Sequence, residues 1–225
     1  MSWKAPIAPA AADLPNELTP FDVVPGDFGS AEFQELYLSG NDLSGMERAD
    51  LQMAECRIEN VDLSASVLPG ASLKDVVVLG GTWANADLSN ANLLRVEMRG
   101  VRLTGVTLSG AKISDVSFID CRMDLAAIRF SELEHVRFDD CLLQEADLYE
   151  TTLFSTVFTT CDLSKVSLAK ATFQRCEMRD CNLDGAGDPE GLRGVGMPWP
   201  DIIRSAGTLA TAAGVIIIND DEDDG

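Results

Sequence analysis

Histidine occurs once, at His135, in a chain of 225 residues, and tyrosine only twice. One imidazole cannot build a histidine-rich metal centre. No C-x-x-C pair takes its place, and a closed zinc site needs four convergent ligands. There is no Ser/His/Asp order and no glycine-rich phosphate loop. Adjacent acids such as Asp139 and Asp140 show no sign of a pocket that would separate their pKa values. The chain reads as a non-enzyme, with no cofactor and no metal. Positive charge is also scarce: 17 Lys and Arg stand against 37 Asp and Glu, a net charge of −20. Phosphates demand cations, so this balance excludes direct nucleic-acid binding and suits a partner with a basic surface. Long apolar runs are missing too. The longest, 202–218, is short for a membrane span and contains Arg204. Prolines at 6 and 9 interrupt the N-terminus as a signal peptide.

What is present is a period. The six cysteines are Cys56, Cys121, Cys141, Cys161, Cys176 and Cys181, and every number ends in 1 or 6. Every fifth residue from Phe33 to Leu183 gives 31 positions, of which only Arg48 is not apolar. Two residues before each lies a second restricted position. From Cys56 to Cys181 its 26 occupants are all Ala, Val, Cys, Ser, Thr or Gly. Five matches neither the 3.6 of a helix nor the 2 of a simple strand. It matches a chain that turns a corner every five residues, with one large and one small side chain inward each time. Such a coil must stack on neighbours, which makes a solenoid. Phe118, Phe138 and Phe158 recur at 20, as do Cys121, Cys141, Cys161 and Cys181. Four fives therefore close one coil. About eight four-sided coils at about 4.8 Å each form a column of about 35–40 Å.

The cysteines occupy the small inward position and read as core packing. Disulfides between stacked coils would need a torsion that parallel side chains do not offer. Six unpaired thiols favour a reducing cytoplasm.

The stretches "ADLSNANLLRV" (86–96), "VRLTGVTLSGAKI" (101–113) and "ADLYETTLF" (146–154) follow an A-(D/N)-L-X-X pattern. On these residues the chain resembles the pentapeptide repeat proteins over 31–185. The resemblance implies an all-β fold, a right-handed quadrilateral β-helix solenoid. With no insertion between 33 and 183, it is similar to the loop-free, gyrase-interacting quinolone-resistance type.

The two ends lack the five-residue period. Residues 1–30, with prolines at 6, 9, 15, 20 and 25, show no period and are expected to cap the first coil with Phe21, Val23, Val24 and Phe28. Arg48 is expected to sit at a bulge, with its guanidinium in solvent. In 186–219 a helix of about three turns is expected between an Asp201 N-cap and a Gly214 stop, followed by the extended "VIII" of 215–218. The apolar surplus there, Ile202, Ile203, Leu209, Val215, Ile216, Ile217 and Ile218, points to a homodimer formed end to end. The resemblance implies the same, since similar C-terminal helices dimerise several family members. Residues 220–225 form a solvated acidic tail.

Residues 31–185 carry 25 acids and 14 bases, and assigning the outward residues to four faces by the twenty-residue phase gives no single acidic face. The acid-rich stretch holds Glu132, Glu134, Asp139, Asp140, Glu145, Asp147 and Glu150, with the outward-facing Phe130, Tyr149 and Phe154 close by in sequence. The sharper functional expectation is a DNA mimic. A column about 20–25 Å wide would occupy the basic saddle of a type II topoisomerase, DNA gyrase, and protect it from quinolones or a self-made toxin. The alternative is a general protein-binding scaffold unrelated to topoisomerases.

Overall fold

The computed structural model describes residues 4–21 and 32–216. Its repeat region winds as a right-handed parallel β-helix of about eight coils, and one backbone feature explains the winding. All 31 residues numbered in multiples of five from 35 to 185 have positive φ, between 52° and 72°. A left-handed residue every fifth place turns the chain through a corner each time. Eight of the corners are Gly and nine are Asn or Asp, the residues that enter this region at least cost. At thirteen of the corners the turn is closed by a hydrogen bond across it. Ser66 N–H donates to the Leu63 carbonyl (3.2 Å) and Ala71 N–H to that of Leu68 (3.2 Å). That is the type II turn, which requires positive φ at its third residue.

In the coil of residues 51–70, the first side is 51–54, the second 56–59, the third 61–64 and the fourth 66–69. Glu55, Asn60, Ala65 and Gly70 are its corners. The strands are β1 (Thr19–Pro20), β2 (Glu32–Gln34), β3 (Leu36–Ser39), β4 (Gln52–Glu59), β5 (Ser72–Leu79), β6 (Asn92–Arg99), β7 (Lys112–Ile119), β8 (Glu132–Asp139), β9 (Thr152–Phe154), β10 (Val157–Thr159), β11 (Thr172–Gln174) and β12 (Glu177–Arg179). From β4 to β8 each strand spans the first and second sides. All pair in parallel at a register of twenty, as in Val76 with Val96 and Val96 with Val116. The third and fourth sides are held by single bridges at the same spacing, Asp62 with Thr82 and Val67 with Asp87.

The twenty-residue register stacks like on like. Phe118, Phe138 and Phe158 lie parallel, with ring centroids 5.0 and 4.8 Å apart, the spacing of the rungs themselves. The six cysteines are free and buried. Burial holds the Cys56 and Cys176 thiols above their ordinary range, so they serve as neutral donors. Cys121 Sγ–H donates to the Met98 carbonyl (3.4 Å) and Cys141 to that of Phe118 (3.3 Å). Ser131 and Thr151 do the same to Leu108 (2.7 Å) and Ile128 (2.5 Å). A small donor in this inward place satisfies a carbonyl of the preceding coil without leaving a void. Gly81 occupies the same place where the next inward residue is Trp83. A Cβ on Gly81 would come within 2.4 Å of the Val61 carbonyl oxygen. Arg48, in the first coil, is half-buried at its inward position.

The N-terminal segment is not confined to the end of the column. Residues 4–18 run down one edge, against the corner series that includes Asp75, Asp115 and Arg175. Arg175 donates to the Ala5 carbonyl (2.9 Å), Ala10 N–H to Asp115 Oδ1 (3.0 Å), and Asp13 N–H to Asp75 Oδ1 (3.1 Å). Every third residue, Pro6, Pro9, Ala12, Pro15, Leu18 and Phe21, is half-buried while most of those between are exposed. Over residues 4–15 that is the pattern of an extended, polyproline-like chain with three residues per turn, before a bend at 16–17 and β1. Its turn of about 9.3 Å matches two coils of about 4.8 Å each. The segment therefore does have a period, of three, and works as a strap. Phe21 does meet the first coil, edge-on to Phe33 at 5.6 Å, and β1 pairs with β3. Val23, Val24 and Phe28 lie outside the described residues.

At the other end the expected single helix is two, α1 (Trp199–Arg204) and α2 (Ala206–Ala212), broken at Ser205. The N-cap is Pro198 rather than Asp201. Asp201 is buried in the first turn, where its carboxylate accepts the Asp180 backbone N–H (3.2 Å) and pairs with Arg204. It fastens the helix to the last coil instead of capping it. Gly214, at φ 75°, ends α2 as expected. No helix among the described residues is long and apolar enough to cross a membrane.

Asp75 links strap and column. A double bond to Arg95 (2.6 Å each) and the Asp13 amide hold its carboxyl below the usual range. A depressed carboxylate stabilises the fold above its unfolded pKa, and that contribution is lost as pH falls through the folded value. Asp75→Asn keeps a residue suited to the corner. The difference in urea midpoint between wild type and Asp75→Asn should be constant above about pH 5 and close progressively below about pH 4. A difference that persists unchanged in acid would contradict this.

Candidate functional site

The acids of 132–150 do not form a patch, because twenty residues encircle the column. Glu132 and Glu134 are on the first side, Asp139 on the second, Asp147 on the fourth, and Asp140, Glu145 and Glu150 at three different corners. Four of the seven are also neutralised. Asp139 pairs with Arg137 (2.7 Å), Glu145 with Lys165 (3.2 Å), Asp147 with Arg129 (3.2 Å) and Glu150 with Lys170 (2.7 Å). The bond to Lys170 holds the Glu150 carboxyl below its usual range.

The unpaired acids stand elsewhere. Asp42, Asp62, Asp124, Asp162 and Asp184 lie along the third side, and Asp120, Asp140 and Asp180 along the corner that borders it. Of these eight, only Asp180 has a cationic partner among the described residues, Arg204 at 2.7 Å. Arg102 and Arg122 on the same side divide the row, and the acids crowd into its C-terminal half. Side-chain oxygens are instead occupied by nearby donors, as where Ser64 and Ser164 N–H bond to Asp62 (2.8 Å) and Asp162 (2.9 Å). Assigning faces by the twenty-residue phase hides this acidic side when each corner is given to one face alone, because a corner residue points along the diagonal and belongs to both adjoining sides. The signal in the sequence is the twenty-residue phase shared by Asp42, Asp62 and Asp162, and by Asp120, Asp140 and Asp180.

Two corners are anomalous: Leu125, which borders this side, and Phe130, one side further round between the fourth and first sides. Leu125 and Phe130, both at φ 59°, are 56% and 54% exposed. Bulky apolar side chains are disfavoured in the left-handed region and gain nothing by facing water. Phe130 packs edge-on to Tyr149 at 5.4 Å. Arg129 lies over both rings (5.6 and 5.1 Å), and Lys170 lies 4.9 Å from the Tyr149 ring. Leu125 borders a shallow groove of about 370 Å³ between Arg122, Asp124, Leu142, Gln144 and Glu145. Phe154 does not join this cluster. It lies across the first side, near His135 (5.9 Å) and Arg175 (5.7 Å). His135 itself faces Asp115 at 3.5 Å. No cluster able to hold a metal ion occurs among the described residues.

Of the residues expected to join two copies, Leu209 packs on the core and Ile202 is half-buried, while Ile203, Val215 and Ile216 are exposed, with Ile216 at 86%. Trp199, 71% exposed, belongs with them and was not anticipated. Ile217 and Ile218 lie outside the described residues.

The family model for pentapeptide repeats matches residues 84–118 and 161–186, in eight copies. Those two stretches are pentapeptide repeats, and the same left-handed corner at every fifth residue runs from 35 to 185. No curated protein sequence matches significantly. Among solved structures, a trypsin-treated variant of QnrB1, described as a plasmid-mediated fluoroquinolone resistance protein, is 19% identical. The match covers 84% of this chain and 100% of that one, with a TM-score of 0.40. Rfr23, a pentapeptide repeat protein from the cyanobacterium Cyanothece 51142, is 12% identical over 66% of this chain and 91% of that one, at 0.38. HetL from Nostoc sp. strain PCC 7120, involved in heterocyst differentiation regulation, is 19% identical over 76% and 90%, at 0.28. These likenesses extend to the repeat fold and no further.

The strained corners make a prediction. Leu125→Gly and Phe130→Gly should each raise stability by about 0.5–1 kcal/mol, since glycine enters the left-handed region freely. Urea unfolding measures it. Loss of stability in both would mean that these side chains serve the fold rather than a contact.

Proposed function

We propose that the protein is a non-catalytic docking column that binds a protein partner through its acidic third side and the Leu125 corner that borders it. The partner we infer is a type II topoisomerase such as DNA gyrase, whose DNA-binding saddle offers the matching basic surface. Binding there would protect the enzyme from quinolones or from a self-made topoisomerase toxin. The observation that carries this reading is the third side, where seven of eight acids have no cationic partner among the described residues, whereas Glu59, Asp75, Glu97, Asp139, Glu145, Asp147, Glu150 and Glu177 on the other sides and corners are bridged. Unpaired carboxylates at a regular rise attract and orient a cationic surface much as phosphates do. The buried, unpaired thiols fit a cytoplasmic setting.

A second reading has its own support in the Phe130–Tyr149 cluster. There, exposed aromatic anchors could hold a partner unrelated to topoisomerases. The two readings part on charge and salt. A supercoiling titration with gyrase, with and without a fluoroquinolone, should show inhibition or drug protection by the wild type. Asp120→Asn, Asp140→Asn, Asp162→Asn and Asp184→Asn combined should weaken the effect by roughly tenfold or more, increasingly so at low salt. Glu145→Gln with Asp147→Asn should change it little, because both acids are already bridged. No effect of the wild type up to tens of micromolar would sink the topoisomerase reading. Sensitivity to Tyr149→Ala with weak salt dependence would favour the scaffold.

The exposed Trp199, Ile203, Val215 and Ile216 support end-to-end self-association at the C-terminal helices. On this reading Ile203→Asp lowers the sedimentation coefficient to that of a monomer or a smaller assembly, and an unchanged value would contradict it.

A further inference from the structure

The second side differs from the other three in what it shows to solvent. Its outward positions form two ladders, one through Arg57, Val77 and Glu97 and the other through Glu59, Leu79 and Arg99, each continuing at twenty-residue steps. Every other rung is a closed ion pair. Arg57 bridges Glu59 (2.7 Å), Glu97 bridges Arg99 (2.5 Å), Arg137 bridges Asp139 (2.7 Å), and Glu177 bridges Arg179. The rungs between them are mainly apolar: Val77 with Leu79, Ile119 beside Ser117, Val157 beside Thr159. A solvated sheet face is expected to be polar throughout. This one alternates apolar and ionic rungs about 9.6 Å apart. It is also neutral, with four acids and four bases at its outward positions, on a chain of net charge −20.

The order of the charges is a further regularity. The four bridges read basic–acidic, acidic–basic, basic–acidic, acidic–basic in chain direction. A closed bridge within each rung does not need that alternation. A two-fold axis running along the Ser117–Ile119 rung does. It would set Glu97 against Arg137 of a second copy and Arg99 against Asp139 of a second copy. Glu59 would meet Arg179, since Glu177 is itself buried at 7% exposure beside the C-terminal segment, Val77 would meet Val157, and Ile119 would meet itself. The exposed charges from Glu59 to Arg179 then face their opposites, and Val77, Ile119 and Val157 face apolar residues.

We propose that the second side is a self-recognition surface, on which two copies of this chain pack side by side and antiparallel about the Ser117–Ile119 rung. The surface spans about 29 Å from Arg57 to Glu177 and is small by the standard of stable dimers. Association in the micromolar range is expected. The contact leaves the acidic third side free, and meets the C-terminal segment only at its last rung, where Glu177 and Arg179 lie beside Met197 and Pro198.

Sedimentation velocity on the full chain carrying Ile203→Asp isolates this contact from the end-to-end one. The expected result is a reversible dimer that weakens as salt rises. The double variant Glu97→Arg with Arg99→Glu keeps the bridge within its rung, but sets like charges against the second copy. It should weaken dimerisation by about tenfold or more. Adding Arg137→Glu and Asp139→Arg should restore it. Ile119→Lys, outward-facing and compatible with the fold, should abolish the dimer by placing two cations at the axis, and serves if the swapped variant fails to fold. A chain that stays monomeric to about 100 µM, where micromolar association would already have shown, overturns the proposal. So does a dimer that survives the charge swap or is not recovered by the fourfold variant.

Discussion

A left-handed residue at every fifth position is the constraint on which the rest of this structure depends. It bends the chain at fixed intervals, closes the coil at twenty residues, and forces each coil to stack in register on the last. No hydrophobic core could dictate such regularity by itself, because burial is not directional. The corners set the geometry. The large and small inward residues then fill a bore whose shape has already been decided. Phenylalanines stack on phenylalanines, and thiols and hydroxyls find carbonyls of the coil before, because every coil repeats the same bends.

The same register governs the surface. Each outward position belongs to a ladder with a rise of about 4.8 Å, so a charge or a methyl group repeated in phase becomes a stripe rather than a spot. Three stripes matter here: the unpaired acids of the third side, the alternating ionic and apolar rungs of the second, and the edge occupied by the polyproline strap. Leu125 and Phe130 depart from the rule that corners be small or polar. Phe130 recovers part of its conformational cost against Tyr149 and Arg129, while Leu125 stands 56% exposed beside a shallow groove, and the two mark candidate contacts.

The core was largely legible in the sequence, since one residue in five is large and apolar from Phe33 to Leu183 and only Arg48 departs. The coil number followed from Phe118, Phe138 and Phe158. The surface was harder to read, for a physical reason: neighbours on it are twenty apart, while the eye groups neighbours in sequence. Glu132 to Glu150 looked like a patch and proved to be a belt. Phe154 looked close to Phe130 and lies a full side away. The strap was missed because a polyproline helix has no internal hydrogen bonds and little amphipathic signal. Only Pro6, Pro9 and Pro15, with Ala12, Leu18 and Phe21 in phase, betray its period. Asp201 resembled an N-cap by its position before Ile202 and Ile203, but tertiary contact with Asp180 claimed its carboxylate first.

The most direct test is to measure φ along the repeats by backbone chemical shifts and scalar couplings in solution. Positive φ at each multiple of five from 35 to 185, with Leu125 and Phe130 among them, is the result this account predicts. Ordinary negative φ at those two residues would remove the strain that singles them out, and negative φ at the corners generally would contradict the four-sided coil itself.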